Sequence, residues 1–381
     1  MLIVEGKNYV AFTDFRFVNE AKSELGMIFR GRAEGLRPLY GEVLLFRLDE
    51  DYGRAIGEFR AARPTFIYGL LQVAKSLYFD GTYDGIMAAL KDILEEGRKF
   101  RIEVKNVWAA VDETAKDVEV LLGRAMEGSG LTADLSSPEV MVYVVLVNDR
   151  ALICTLDVGL YGQYVMDPFR KANKSGYSAL NRSEYKLAEA VESFGIDVGS
   201  VALCLDVGAA PGGWSNYMLK HGAKVVAVDS ALLDYGKLAA RSILVVTENG
   251  NVGDLSGGRP EIRIRSAAPG ALPGDISEYD MVHIKGRAQD ALPAVLGRLG
   301  KFDMALSDMN TTPEESAKVL DGIAGAIKEG GRVVLTIKLV DNRVQKHIND
   351  VKRILSQNYG GFMVKKLPHD RMELTAFAIK K

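Results

Sequence analysis

The feature that most constrains the fold of this chain is a glycine- and proline-rich turn within residues 204–215, Cys-Leu-Asp-Val-Gly-Ala-Ala-Pro-Gly-Gly-Trp-Ser. An alternating apolar segment ends at Val207 and indicates a strand, and a helix is predicted from Trp214 onwards. The turn contains Gly208, Gly212 and Gly213. Because glycine has no Cβ, the backbone can turn sharply and a ligand can approach the N–H groups at the helix start. The pattern predicts a cradle for a nucleotide-type ligand, unless the glycines serve only the shape of the turn.

An acidic residue after the next strand narrows the ligand class. The strand of residues 223–229 ends in Asp229, about 20 residues beyond the glycine turn, where a carboxylate can accept both ribose hydroxyls of an adenosine ligand. A Walker-type phosphate loop would need Gly-Lys-Ser/Thr at its end, but Gly213 is followed by Trp214. Phosphate binding by this loop is therefore disfavoured.

Composition indicates an ordinary globular protein of two or three domains. The chain has 381 residues, of which 48% are hydrophobic and 26% charged, and its net charge is -2. Any nucleic-acid contact must therefore come from local basic patches. The longest strongly apolar run, residues 140–147, is far shorter than the roughly 20 residues that span a membrane. We expect a cytoplasmic protein without a membrane segment.

Cysteine and histidine usage gives no support for a metal site. Cys154 and Cys204 both lie in apolar segments without CxxC spacing, which also argues against a disulfide framework. The four histidines are scattered through the chain at His221, His283, His347 and His369. We expect no bound metal.

The N-terminal part is predicted to be α+β. Residues 1–60 mix short strands with a helical stretch, as in a ferredoxin-like region, and residues 61–165 form a second α+β region. Elements predicted in this second region are helices at 65–78 and 82–97, a strand at 100–107, a helix at about 114–127, and a hairpin at 140–147 and 151–158.

A basic linker at 166–182 separates these regions from the rest of the chain. Basic residues outnumber acidic ones between 168 and 186, and three aromatic residues are interleaved with them. Basic groups neutralise phosphates and aromatic rings stack on unpaired bases, so the composition fits single-stranded RNA, or else a solvated linker.

From residue 183 to residue 381 strands alternate with helices, which predicts a parallel sheet covered on both faces. Strands are expected near 202–207, 224–229, 281–284, 302–307, 332–339 and 373–379. Residues 249–275 are rich in glycine and proline and indicate an inserted loop or hairpin, to which we assign no role.

Two ionisable residues at strand ends are candidates for chemistry. Asp308 follows a buried strand at the edge where such sheets bind ligands, and it is not needed as a helix cap because Thr312 serves there. Lys338 lies in an apolar strand, and a buried ammonium group needs a partner, for which Asp308 is the obvious candidate.

Three further residues belong to the same group of candidates. Glu373 begins the last predicted strand, and Ser183 is expected to cap a helix. Lys186 falls in the first turn of that helix, where a cation opposes the helix dipole, so it needs another reason to be there.

The loop Asp206-x-Gly-x-x-Pro-Gly-Gly-Trp-Ser resembles the S-adenosylmethionine loop of FtsJ-type RNA ribose 2'-O-methyltransferases. Lys186, Asp308, Lys338 and Glu373, in that order, match the Lys-Asp-Lys-Glu tetrad of that family. The resemblance implies a Rossmann-like, S-adenosylmethionine-dependent methyltransferase domain over residues 183–381, with the tetrad as catalytic residues and Lys338 as proton acceptor. The cofactor-binding residues that it implies are Ser183, Gly208, Ala210, Pro211, Gly212, Gly213, Trp214, Asp229 and Asp308, and Asp290 is added as a substitute for a family residue that is missing here.

The segment Leu-Pro-His-Asp-Arg-Met-Glu-Leu-Thr of residues 367–375 is similar to that of bacterial large-subunit rRNA cytidine 2'-O-methyltransferases with an N-terminal THUMP region. The basic strand at 98–105 loosely resembles a THUMP RNA-binding module. These resemblances imply RNA as partner, rRNA rather than tRNA. The family's acid after the third strand, which binds the adenine amino group, is replaced by Ile284-Lys-Gly-Arg287, so Asp290 or a backbone amide is the expected substitute.

Alternative functions follow from the same residues. A ribose hydroxyl is a poor nucleophile, so Lys338 acts either as a base or as a group that orients the hydroxyl. Ser307-Asp-Met-Asn310 is not the Asn/Asp-Pro-Pro-Tyr pattern of base N-methyltransferases, which disfavours base methylation. A tRNA 2'-O-methyltransferase and a non-catalytic RNA-binding assembly factor that retains the fold are the remaining alternatives.

Overall fold

The structure, a computed structural model, describes residues 7–161, 178–248, 260–266, 276–295 and 300–381. The chain forms two compact units, Met1–Arg170 and Lys171–Lys381. Within the described residues, no helix is both long and apolar enough to cross a membrane. Residues 166–177 of the predicted basic linker and most of the predicted insertion at 249–275 lie outside the described residues.

The first half of the N-terminal unit has the connectivity βαββαβ, which occurs in ferredoxin-like motifs. Its strands pair antiparallel in the order β2-β3-β1-β4. The first region was predicted to end at residue 60, but its last strand begins only at Ile67. The elements are β1 (Asn8–Thr13), α1 (Val18–Ile28), β2 (Glu34–Tyr40), β3 (Val43–Arg47), α2 (Tyr52–Ala62) and β4 (Ile67–Tyr78).

The second half extends the same sheet to eight strands, in the order β2-β3-β1-β4-β8-β7-β5-β6. Its core is formed by α3, α4 and the inner faces of β5, β7 and β8. The elements are α3 (Asp84–Ile93), β5 (Lys99–Val107), α4 (Ala115–Glu127), β6 (Thr132–Ala133), β7 (Val140–Val147), β8 (Arg150–Asp157) and α5 (Val158–Tyr161). That this half is THUMP-like stays a prediction.

One predicted element of this unit is wrong. Residues 65–78 were expected to form a helix, but Ile67–Tyr78 form β4, which pairs with β1 through its first half and with β8 through its second half. Leu70 and Leu71 follow Phe66 and Ile67 at helical spacing, and all four are buried because both faces of this central strand are covered.

The C-terminal unit contains a nine-stranded sheet with helices on its faces. Strand order is β12-β11-β13-β10-β9-β14-β15-β17-β16, and all neighbours pair in parallel except that β17 is antiparallel to β15 and β16. The elements are α6 (Arg182–Phe194), β9 (Leu203–Val207), α7 (Gly213–Lys220), β10 (Lys224–Asp229), β11 (Ser242–Thr247), β12 (Glu261–Ser266), β13 (Met281–Lys285), α8 (Ala288–Val295), β14 (Phe302–Ser307), α9 (Pro313–Gly322), β15 (Ile327–Lys338), α10 (Val344–Leu355), β16 (Tyr359–Lys365) and β17 (Glu373–Lys380).

The predicted parallel α/β architecture is confirmed for this unit, and its topology locates a crevice. β9 pairs with β10 on one side and with β14 on the other, so the chain departs in opposite directions from β9. Open α/β sheets bind ligands at such a switch point, beyond the carboxyl ends of the strands. Three predicted features lie at this edge: the glycine turn follows β9, Asp229 ends β10, and Asp308 follows β14.

Three strands in this unit, β11, β12 and β16, were not predicted. β11 and β12 follow β10 in the chain but lie outside β13 in the sheet, so β13 occupies the place next to β10. β12 lies inside the predicted insertion and is largely exposed, which explains why its apolar signal is weak.

Candidate active site

The glycine turn after β9 has the sharp backbone course that the sequence predicted. Gly208 and Gly212 have φ angles of 79° and 112°, in the region that favours glycine, and the peptide bond between Ala210 and Pro211 is cis. A Cβ on Gly208 would lie 2.7 Å from the Cα of Met309. The turn therefore passes close to the loop that follows Asp308.

Asp229 holds this turn in place. Its Oδ2 accepts the backbone N–H of Ala210 at 2.9 Å, and its Oδ1 accepts the backbone N–H of Ala231 at 2.8 Å. Each carboxylate oxygen can accept a second hydrogen bond, so Asp229 can still receive the hydroxyls of a ribose. The Asp229 carboxylate and the backbone N–H groups of the glycine turn form an acceptor and donor set that fits the adenosyl part of S-adenosylmethionine.

Asp206 lies beneath the turn and is fully buried. The hydroxyl of Ser215 donates to its Oδ2 at 2.6 Å, whereas its Oδ1 has no hydrogen-bond partner among the described residues. Burial raises the pKa of Asp206 to about 7. The acid therefore ties α7 to β9 largely in its protonated form at mildly acidic pH.

The structure brings the four predicted catalytic side chains together around Asp308. The Nζ of Lys186 lies 3.3 Å from Oδ1 of Asp308 and 3.0 Å from Oε1 of Glu373. The Nζ of Lys338 lies 3.7 Å from Oδ1 of Asp308. Two cations and two carboxylates thus form one network at the carboxyl edge of the sheet.

The two lysines differ in exposure. The side chain of Lys186 is 3% exposed, and its Nζ also lies 3.5 Å from the hydroxyl of Thr336 and 5.8 Å from the ring centre of Trp214. The side chain of Lys338 is 26% exposed. Desolvation lowers the pKa of Lys186, but Asp308, Asp370 and Glu373 outweigh it, so the pKa is raised. Lys186 is therefore a fixed internal cation, and Lys338 is the amine that can meet a substrate.

Strand register sets the spacing of the tetrad. Lys338 at the end of β15 is the direct partner of Glu373 at the start of the antiparallel β17. A neighbouring bond from the backbone N–H of Leu339 to the carbonyl of Met372 measures 3.0 Å. The amine and the carboxylate are thus placed by the sheet rather than by a loop.

Ser183 belongs to the site, but its predicted role as helix cap is wrong. The cap of α6 is Asn181, whose side chain accepts the backbone N–H of Glu184, so α6 begins before Ser183. The hydroxyl of Ser183 donates to Oδ2 of Asp308 at 3.2 Å, and its carbonyl accepts the indole N–H of Trp214 at 2.8 Å.

Several residues that support the site were missed by sequence reasoning. The Nη2 atom of Arg182 lies 3.8 Å from Oε1 of Glu373. Asp370 is fully buried, accepts the backbone N–H of Leu367 at 3.0 Å and the hydroxyl of Thr375 at 3.2 Å, and burial raises its pKa to about 7. This packing fixes the start of β17. No local pattern marks these residues, because each acts across elements.

His347 links the segments that follow β14 and β15. Its Nδ1 lies 3.0 Å from Oε1 of Glu314 at the start of α9, and its Nε2 lies 3.1 Å from Oδ1 of Asp341 after β15. The imidazole is buried. It therefore ties the Asp308 loop to the Lys338 loop from outside the crevice.

Asp290, the expected adenine-binding substitute, is on the first turn of α8 with an exposed side chain. Arg287 before it is exposed as well. Adenine recognition by Asp290 or by a backbone amide therefore stays a prediction. In the part of the chain that the structure describes, no three His, Cys, Asp or Glu residues cluster as a metal site.

Comparison with known proteins gives one family. Residues 179–369 match the profile of the FtsJ-like methyltransferases. An uncharacterized protein of Methanocaldococcus jannaschii is 25% identical over 178 residues, which cover 46% of this chain and 39% of that protein. Ribosomal RNA large subunit methyltransferase E of Archaeoglobus fulgidus is 27% identical over 187 residues, covering 48% of this chain and 78% of that protein. The chain thus spans about two fifths of the first relative.

Among solved structures, TrmN from Thermus thermophilus aligns over 98% of this chain and 99% of its own, with 17% identity and a TM-score of 0.36.

Proposed function

The chain belongs to the FtsJ-like methyltransferase family, whose methyl donor is S-adenosylmethionine, and on this premise we propose that it methylates a ribose 2'-hydroxyl of RNA. The observation that carries the proposal is the convergence of Lys186, Asp308, Lys338 and Glu373 beside the glycine turn. Large-subunit rRNA is the proposed substrate, because relatives that match over most of their length are named as large-subunit rRNA methyltransferases. We expect the protein in the cytoplasm.

Each residue of the network has a distinct task in this proposal. S-adenosylmethionine, when bound, supplies an electrophilic methyl group. Asp308 holds the Lys338 amine, and Lys186 supplies the positive charge that pairs with both Asp308 and Glu373 inside a largely buried network. An unprotonated Lys338 amine would orient the 2'-hydroxyl and accept its proton while the methyl group passes from the donor's sulfonium to the hydroxyl oxygen, which leaves a neutral thioether. The partial exposure of Lys338 would then allow the proton to pass to water.

The binding residues follow from the same geometry. Asp229 receives the ribose hydroxyls of the adenosyl group, and the turn from Gly208 to Gly213 admits the ligand to the start of α7. Ser183, Trp214 and Asp308 line the methionine side of the proposed site, where the Ser183 hydroxyl already bonds Asp308.

Labelled methyl transfer to purified rRNA and tRNA tests the proposal. We expect incorporation into rRNA, recovery of the label as a 2'-O-methylnucleoside after digestion, and a loss of at least about 100-fold in rate for Lys338→Ala. A full rate in that variant would remove Lys338 from catalysis. Label in tRNA alone would change the substrate, label on a base would change the reaction, and no incorporation would favour an RNA-binding assembly factor.

A further inference from the structure

The N-terminal unit contains a cavity of about 260 Å³ that the proposed methyl transfer does not use. It lies between β2 and the hairpin formed by β7 and β8. The lining residues are Arg37, Pro38, Leu39, Val147, Asn148, Asp149, Arg150 and Leu152. A cavity of this size with two guanidinium groups and one carboxylate is cationic.

The two arginines of this cavity are available for an external anion. Arg37 and Arg150 are both exposed, and within the described residues neither forms an ion pair or a side-chain hydrogen bond with a carboxylate. Other arginines of this unit do pair, for example Arg98 with Asp157 at 2.6 Å. A planar guanidinium donates two parallel hydrogen bonds to a phosphate, so two of them beside one cavity favour a phosphate-bearing ligand.

Two large aromatic side chains stand beside the cavity at the same end of the sheet. Tyr78 is 75% exposed and is the direct strand partner of Arg150, a lining residue. Trp108 is 64% exposed and bridges to Val147, another lining residue. Tyr78 ends β4 and Trp108 follows β5, and these two strands are three strand spacings apart in the sheet, so about 14 Å separates their backbones.

The backbone of Trp108 is strained in a way that presents its side chain. Its φ angle is 67°, a region that large residues rarely adopt and that costs about 1 to 3 kcal/mol. An indole that is mostly exposed gains little burial to offset this cost. Two of the acids that follow these residues in sequence are already hydrogen-bonded: Asp80 accepts the hydroxyl of Thr82, and Glu113 accepts the hydroxyl of Tyr83.

We propose that this edge is a binding site for unpaired RNA, in which Arg37 and Arg150 hold phosphates and Trp108 and Tyr78 stack on bases. The combination of cations and exposed aromatic rings is what single-stranded nucleic acid requires, and it distinguishes this ligand from a simple anion. The inference rests on the proposed function, because it assumes that RNA is the substrate.

Binding of the full-length protein to a fluorescent single-stranded RNA pentamer, measured by anisotropy over a salt series, tests the site. We expect Trp108→Ala to weaken binding about tenfold, because stacking is lost. Each of Arg37→Ala and Arg150→Ala should weaken it about three- to tenfold and reduce the salt slope by about one. Arg124→Ala, an exposed arginine of α4 outside the cavity, is the matched control and should bind like the unchanged protein.

Competition by polyphosphate separates RNA from a simple anion as the ligand. Polyphosphate can bind the arginines but cannot stack on Trp108. We therefore expect it to displace the RNA with the same affinity from the unchanged protein and from Trp108→Ala. RNA affinity that is unchanged in Trp108→Ala and in Arg37→Ala/Arg150→Ala would overturn the proposal, and so would a preference for duplex RNA.

Methyl transfer and donor binding, measured on the same variants, separate this inference from the proposed function. Methylated RNA together with unchanged pentamer binding in the cavity variants would refute the site alone. Pentamer binding that depends on Trp108 and on the arginines, without methyl transfer to any RNA, would refute the proposed function and leave the site in place.

Discussion

At the scale of single residues, Lys186 is the charge on which the site depends. It is enclosed between Asp308 and Glu373, at 3.3 and 3.0 Å, with 3% of its side chain exposed. Removing one member of a buried ion pair leaves the other charge without compensation. We therefore predict that Lys186→Met lowers the free energy of unfolding by about 3 to 5 kcal/mol, measured by chemical denaturation.

Two variants control for this prediction. Lys186→Met/Glu373→Gln removes one of the stranded charges and should recover part of the loss. Lys346→Met breaks an exposed pair with Asp350 of 2.7 Å and should cost less than about 1 kcal/mol. Equal losses from Lys186→Met and Lys346→Met would contradict the internal role of Lys186.

Asp206 gives the stability of the protein a pH dependence. Its pKa is raised to about 7 in the folded state, so between about pH 4 and pH 7 the folded chain holds a proton that the unfolded chain releases. Its contribution to stability is therefore lost as the pH rises through this window. We predict that the free energy of unfolding of Asp206→Asn rises relative to that of the unchanged protein as the pH increases from 4 to 8. This relative gain should reach up to about 4 kcal/mol at pH 8.

Denaturation curves at pH 4, 6 and 8 measure this difference. Part of the decline should remain in the variant, because burial also raises the pKa of Asp370 to about 7. Parallel stability curves for the two proteins would contradict a raised pKa of Asp206, because they would show that this group titrates alike in the folded and unfolded chain.

At the scale of elements, the contact between the glycine turn and the loop after β14 positions the ligand site. A Cβ on Gly208 would meet backbone and side-chain atoms of Met309 at 2.7 to 2.8 Å, whereas a Cβ on Gly222 would meet nothing within 4 Å. Both glycines have positive φ angles, of 79° and 85°. Gly222→Ala should therefore cost only backbone strain, about 1 to 2 kcal/mol.

We predict that Gly208→Ala costs more than this and also weakens binding of S-adenosylmethionine about tenfold or more, because the turn and the Asp308 loop must separate. Calorimetric titration with the methyl donor measures the second effect, and Gly222→Ala should bind normally. If both variants bind alike, close approach of the two loops is not needed for binding.

The elements of the C-terminal unit were predictable where the signal is local. Apolar alternation located β9, β10 and β14, and the Thr312 cap of α9 is present, with its hydroxyl accepting the N–H of Glu315 at 3.3 Å. β4 was mistaken for a helix because a strand buried on both faces has no alternation.

Some site residues were likewise predictable from the local sequence, and others were not. The tetrad could be predicted from the order of its residues and from the loop that accompanies it. Asn181 and Ser183 are both good helix caps, and the bond that Asn181 accepts from the backbone N–H of Glu184 identifies it as the cap of α6. Ser183 instead donates to Asp308, 125 residues away. Thr336, Asp370 and His347 act through contacts between elements, which spacing along the chain does not reveal.

At the scale of the whole molecule, the chain contains two tryptophans, one in each compact unit. Trp214 is buried beside the glycine turn, and Trp108 is exposed on the N-terminal unit. Trp108→Phe therefore leaves Trp214 as the single tryptophan, whose selectively excited fluorescence reports on the C-terminal unit in the full-length protein.

We predict that S-adenosylmethionine at 100 times its Kd stabilises the transition seen by Trp214 fluorescence in this variant by about 2.7 kcal/mol, because the ligand binds only the folded unit. Circular dichroism of the same samples should show a second component that does not shift, since the two units have separate cores. A single transition that moves as a whole would show that the units unfold together.

Because Lys338 and Glu373 are strand partners, the distance between them does not depend on the number of residues that separate them along the chain. Residues added to or removed from the loops of that interval leave the amine and the carboxylate opposite each other, as long as the ladder of β15 and β17 keeps its alignment. A slip by one residue would turn one of the two side chains to the opposite face of the sheet. Insertions are thus tolerable in the loops around α10 and β16, and intolerable within the two strands that carry the charges.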